Sequence, residues 1–305
     1  MSETTPSKVG QYSYRTINKW FISACDWLTT LGVKFDNTRI TQYSDDLNKI
    51  ADYYEGGRIS ELLAQRGFPQ LMNSLLEAQE ICAIHRGLCN INDSDLSNRL
   101  GKIVKGKVLL SEESPKSSHA RNISFELLIA SACASSGLPI DLEPPNDVWL
   151  PLSDHPLAIE CKRPFSYAKV ETRLRDGFKQ LIQRYNNHHE NPSNVRGILA
   201  LSISKIENDG SKFLSAKTEE ELNSQTFHII ETFCAKYERH WNSGVDKRTI
   251  AVLIHLEAPA IIESPVLLLM NRQLVFVTWC EPNSSDYAFL KRISDAIASV
   301  SPLRV

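Results

Sequence analysis

Between Asp147 and Lys162, two runs of alternating apolar and polar residues flank a short polar stretch, Ser153-Asp154-His155-Pro156. Proline and small polar residues between apolar-patterned runs predict a turn, and the whole segment reads as a β-hairpin. Folded about that turn, Leu152 is expected opposite Leu157, Leu150 opposite Ile159, Val148 opposite Cys161, and Asp147 opposite Lys162. Side chains alternate along a strand, and directly opposed residues share a face. Val148, Leu150, Leu152, Leu157, Ile159 and Cys161 should therefore enter a core, while Asp147, Glu160 and Lys162 share the other face.

The remaining pattern predicts helices and strands around this hairpin. Up to about Gly106 the periodicity is helical, with apolar stripes at Trp20, Phe21, Cys25 and Leu28, at Leu47, Ile50 and Tyr54, and from Leu62 to Ile81. The stretch 111–119 (SEESPKSSH) is polar and proline-containing, and reads as a linker or exposed loop. Residues 120–137 form a helix closed by Gly137, with Phe125, Leu128, Ile129 and Ala132 buried and Glu126 at the edge of that stripe. Residues 166–185 form an amphipathic helix with Val170, Leu174, Phe178, Leu181, Ile182 and Tyr185 on one side. Lys169, Arg173, Gln180 and Arg184 fall in a stripe opposite them. An interior strand is expected over 197–206, a helix over 219–241, strands over 249–256, 265–270 and 274–279 with a turn at Asn271-Arg272, and a closing helix over 286–300. The fold class is α/β: a mixed central β-sheet flanked by helices, with an N-terminal helical region. The expected division is a helical part over 1–115 and an α/β domain over 116–305.

Two carboxylates at contact distance repel unless a cation or proton lies between them, and hard divalent ions such as Mg²⁺ take carboxylates, waters and phosphate oxygens. A neighbouring lysine can orient a water and offset charge that builds on phosphate. Asp147 and Glu160-Cys161-Lys162, at the start of one strand and on the next, resemble the PD-(D/E)xK nuclease superfamily. The resemblance covers about 121–206, and departs from the pattern in having Asn146, not proline, directly before the Asp. It implies a restriction-endonuclease-like core in which Asp147 and Glu160 bind Mg²⁺, with Mn²⁺ able to substitute. It further implies that the Cys161 carbonyl is a metal ligand and that Lys162 positions the attacking water. Glu126 matches the glutamate that many members carry on the preceding helix, with pairing to Arg121 or a neighbour as its alternative. Gln180, with Tyr185 after it, resembles the supporting glutamine of the helix that follows the catalytic strand. Lys169, Arg173 and Arg184 are then the expected phosphate contacts.

Composition narrows the reading further. The 305 residues carry a formal net charge of −2, so nucleic-acid binding would need locally clustered positive charge. The seven cysteines form no CxxC pair, and Cys82 and Cys89 lack the histidines of a zinc motif. Reduced thiols and a cytoplasmic location are expected. No apolar run has the ~18 residues of a membrane span. No GxxxxGK[ST] or GxGxxG loop is present, which argues against an ATPase or a dinucleotide enzyme. His188-His189-Glu190 reads as a polar loop rather than a metal site, and Asp154-His155 as turn chemistry. The expectation is a Mg²⁺-dependent nuclease, most simply a DNA endonuclease of defence, restriction or repair. A homodimer or a partner protein would engage the N-terminal helices. The rivals are a non-catalytic nucleic-acid-binding or regulatory protein on the same fold, and an interaction protein working through its helical half.

Overall fold

The computed structural model describes residues 13–187, 192–208, 213–242, 245–263 and 266–299; His188, His189 and Glu190 lie outside them. Five helices come first: α1 (Tyr14–Thr30), α2 (Arg39–Glu55), α3 (Ile59–Arg66), α4 (Phe68–Leu88) and α5 (Leu96–Ile103). Helix α6 (His119–Ser135) leads into β1 (Val148–Leu150) and β2 (Leu157–Lys162), followed by a 3₁₀ turn (Tyr167–Lys169) and α7 (Val170–Asn187). The chain continues through β3 (Arg196–Ser202), α8 (Ser204–Glu207), β4 (Leu214–Ala216), α9 (Glu219–Tyr237) and α10 (Arg239–Asn242). It ends in β5 (Thr249–Glu263), β6 (Val266–Thr278) and α11 (Ser285–Ser299).

The six strands make one mixed sheet. β1 runs antiparallel to β2, and β2, β3 and β5 are parallel neighbours. β6 is antiparallel along the length of β5, so the short β4, which also pairs with β5, must continue the edge that β3 occupies. Ile198–Leu201 and Ile250–Ile254 are sealed on both faces, which is why those segments read as unbroken apolar runs. One face, carrying Leu157, Ile159, Cys161, Ile198, Ala200 and Leu253, shares a single core with α1, α2, α4, α6 and α11. The other, carrying Ala158, Leu199, Leu201, Val252 and Ile254, packs against α7 and α9.

Three expectations are corrected by this architecture. Segment 111–119 is an exposed loop over most of its length, as one of the two readings has it, but it is not a free linker: the Glu113 side chain is fully buried and meets Arg163 through two hydrogen bonds of 2.9 Å. Lys205 Nζ donates to the Leu110 carbonyl at 2.6 Å, so the crossing from helices to sheet is docked on the strand ends. No turn interrupts β6 at Asn271-Arg272. Arg272 stands directly across from Glu257 in the ladder and pairs with it at 2.7 Å, and Asn271 donates to Thr226 on α9. Polar residues that suit a turn are here spent on cross-strand and helix partners. Finally, Tyr54 and Ile182, assigned to apolar stripes, are exposed at 58% and 37%.

Candidate active site

The strand register places the acidic residues. Val148 pairs with Ile159 and Leu150 with Leu157, so β1 is shifted by two residues from the expected pairing. The longer connection 151–156 takes up the difference. A two-residue shift preserves which face each side chain occupies. Continued outward by one position, the ladder sets Asp147 against Glu160 rather than Lys162. Cys161 is buried on the core face, as alternation requires.

Around this corner, three oxygens converge on one ammonium. Lys162 Nζ donates to Glu160 Oε1 at 2.6 Å and to the Cys161 carbonyl at 3.0 Å, and lies 3.8 Å from Asp147 Oδ2. Asp147 Oδ2 also accepts from the Cys161 amide at 2.7 Å, which ties the loop before β1 to β2. The stem of Lys162 runs beneath α7 at Gly177. A Cβ there would overlap Leu199 Cδ1 and stand 3.3 Å from Lys162 Cγ, so only glycine lets the helix lie this close.

Helix α7 turns two of its polar residues inward. Arg184 Nε lies 3.5 Å from Glu160 Oε2, and its side chain is only 12% exposed. Gln180, one turn earlier, has its Oε1 buried without a hydrogen-bond partner among the described residues. The expected stripe therefore divides. Lys169 and Arg173 face solvent, whereas Arg184 is not on an open phosphate-contact face; its Nε is buried beside the Glu160 carboxylate, near enough for an ion pair but with no hydrogen bond between them. A helical wheel cannot tell which flank of the apolar stripe meets the strand carrying that acid. Tyr185 belongs to the core, its hydroxyl 2.8 Å from Thr249 Oγ1.

Glu126 joins from α6. That helix closes at Gly137, whose φ of 77° lies in the left-handed region, with bonds from Gly137 N to Ala134 O and from Leu138 N to Cys133 O. The partner of Glu126 is not Arg121, which pairs with Glu77, but Arg99 on α5, at 3.1 Å. No motif in the sequence pairs Arg99 with Glu126. Its Nη1 also donates to the Asp147 carbonyl at 2.8 Å, its Nη2 to the Leu142 and Asn146 carbonyls, and its Nε to Asp95 at 2.9 Å. One guanidinium from the N-terminal helices thus binds Glu126 and the backbone that presents Asp147. The only signal in the sequence is an arginine at a helical core position, among Leu96, Leu100 and Ile103.

The electrostatics follow from burial and crowding. Burial pushes the Glu160 carboxyl up to about 7, with the Asp147 charge adding to the rise and Lys162 opposing it. Burial likewise raises Glu126 to about 8, again with Asp147 as the second cause. Carboxylate and carbonyl oxygens are the donors a hard divalent ion prefers. Among the described residues, however, no three His, Cys, Asp or Glu side chains are grouped so as to hold a metal ion on their own. Each carboxylate already has a basic neighbour: Lys162 and Arg184 at Glu160, Lys162 at Asp147, Arg99 at Glu126. The donor chemistry fits Mg²⁺ or Mn²⁺ on one condition, that Lys162 yields its place.

No described helix is long and apolar enough to cross a membrane. No protein-family model, no curated protein and no solved structure matches the chain.

Proposed function

We propose that this protein is a Mg²⁺-dependent nuclease of the PD-(D/E)xK type, with a restriction-endonuclease-like core, hydrolysing phosphodiester bonds of DNA. The observation that carries the reading is the meeting of Asp147, Glu160 and Lys162 at one corner of the sheet, with Glu126 beside them. Two of these carboxyl groups are held well above their ordinary range by burial and mutual repulsion, a condition that added positive charge relieves.

Asp147, Glu160 and the Cys161 carbonyl are the groups that would hold the ion, with Glu126 at its margin. A bound divalent ion supplies charge against the phosphodiester and acidifies water. The chain's own groups do the rest. The Lys162 ammonium orients the water that attacks phosphorus and compensates charge gathering on the phosphate oxygens. Arg184 places a positive charge 3.5 Å from the buried Glu160 carboxylate, and Gln180 offers an unpaired amide oxygen one helical turn away. Lys169 and Arg173, exposed at the start of α7, would take flanking phosphates.

Purified protein incubated with plasmid, linear and single-stranded DNA should cut at least one of them with Mg²⁺ or Mn²⁺ and none with EDTA. Asp147→Ala and Lys162→Ala should each abolish cutting while retaining the wild-type circular-dichroism spectrum. Undiminished cleavage by either variant removes the mechanism.

One observation favours a second reading. Because Lys162, Arg184 and Arg99 already stand beside the carboxylates, the site offsets part of its negative charge without metal, as suits a non-catalytic nucleic-acid-binding protein. Calorimetric titration with Mn²⁺ separates the two. The nuclease reading requires binding that is lost in Glu160→Ala, and the binding-protein reading requires none.

A further inference from the structure

The three atoms that would receive a metal ion, Glu160 Oε1, the Cys161 carbonyl oxygen and Asp147 Oδ2, are the atoms gathered around Lys162 Nζ, at 2.6, 3.0 and 3.8 Å. From this coincidence we infer that the Lys162 ammonium is the resident cation of the site, and that divalent-ion binding proceeds by exchange with it. The inference rests on the nuclease reading for the identity of the incoming ion, but it concerns binding and not cleavage.

Charge makes the two cations rivals. Glu160 is almost fully buried, and one of its oxygens carries a 2.6 Å bond to the ammonium. A divalent ion brought to the same oxygen would stand within a few ångströms of the ammonium, and like charges at that separation in a part-buried site repel strongly. The two cations therefore cannot share the acceptors, and one must leave. Lys162 can leave by rotating the tip of its flexible stem away from the carboxylates, a movement of the ammonium alone, since the stem itself stays packed beneath α7 at Gly177. Glu160 is not abandoned when this happens, because Arg184 remains 3.5 Å from its other oxygen. An ammonium displaced at this point is free to take up a phosphate oxygen. The exchange thus makes Lys162 available to substrate only where an ion has taken its former place. Until then the lysine acts as a competitor that weakens ion binding.

The test is calorimetric titration of the full chain with Mn²⁺ alone, at fixed ionic strength, for wild type, Lys162→Met and Lys162→Arg. Removing one positive charge from among the acceptors should tighten Mn²⁺ binding by roughly tenfold or more in Lys162→Met. Lys162→Arg, which keeps the charge in a bulkier planar form, should bind no more tightly than wild type. Lys162→Gln provides the same neutralisation with a polar tip if Lys162→Met fails to fold, as judged by its melting curve. Binding by the neutral variants equal to or weaker than wild type overturns the inference, as does the absence of binding in all variants. DNA cleavage is scored separately. If wild type binds Mn²⁺, the neutral variants bind it more tightly and no DNA is cut, then the exchange stands and the nuclease reading falls. Cleavage by wild type without tighter binding in Lys162→Met removes the exchange and leaves the nuclease reading in place.

Discussion

Arg99 and Glu126 meet at 3.1 Å although they belong to different parts of the chain, one on the last of the N-terminal helices and the other on the helix that precedes the sheet. The same guanidinium donates to the carbonyls of Leu142, Asn146 and Asp147. Through this residue the helical region takes part in building the candidate site rather than merely adjoining it.

Arg99→Ala should therefore destabilise the protein by about 3–5 kcal/mol, since it leaves the Leu142, Asn146 and Asp147 carbonyls and the Glu126 carboxyl together without their donor. Arg99→Lys should recover only part of the loss, because one ammonium cannot replace the forked contacts. Urea denaturation of the three proteins checks the ranking. A loss within about 0.5 kcal/mol for Arg99→Ala, the ordinary range of a surface substitution, would contradict the assigned role.

The pH dependence of stability has a definite sign. Glu126 and Glu160 carry folded-state values of about 8 and about 7, against 4.5 for an ordinary glutamate. Between those limits the folded state binds more protons than the unfolded state, so metal-free stability falls as pH rises from about 4.5 to about 8. Glu126→Gln removes one contributor. It should match wild type near pH 5 and exceed it above pH 8 by about 1–3 kcal/mol. Thermal melts in EDTA across this range give the answer, and a variant curve parallel to wild type would show that Glu126 does not titrate as described.

Gly177 separates two competing effects. Replacing it by alanine improves helix propensity by about 1 kcal/mol. The added Cβ, however, would overlap Leu199 Cδ1 and lie 3.3 Å from Lys162 Cγ. Overpacking of this kind costs about 1–3 kcal/mol, so the net change should be destabilising. Gly177→Val should be worse. Chemical denaturation that finds Gly177→Ala more stable than wild type would mean that α7 does not approach β2 and β3 this closely.

The buried pair of Glu113 and Arg163 predicts that the crossing segment is held down. Glu113→Ala leaves the Arg163 charge buried and unpaired, at a cost of about 3–5 kcal/mol. Limited proteolysis should then cut near Lys116, which is exposed, faster than in wild type. The double variant Glu113→Ala/Arg163→Met should be more stable than the single Glu113→Ala, because it no longer buries an orphan charge. Equal cleavage rates for wild type and Glu113→Ala would argue against the docking.

Much of the architecture was legible from periodicity, because alternation and helical spacing are local properties of the chain. The interior strand β3, which ends at Ser202 where the expected strand ran on to 206 through what is the short helix α8, helix α6 with its glycine closure, and the α/β order follow from which positions are apolar. The common face of Asp147 and Glu160 was legible for a more specific reason. Side chains on a strand repeat every two residues, so a pairing error of two leaves each residue on its proper face. The partner in the ladder was not legible, because register depends on how the connection 151–156 closes against the rest of the sheet. Nor was Arg99 at Glu126, a contact between residues 27 positions apart, or Arg184 at Glu160, which joins a helix to a strand; no local pattern exists for either. Which side chains could share a face is written in the alternation of the strands. Which cations those carboxylates meet is settled by packing, since a buried charge selects its partner through space, whatever the distance along the chain.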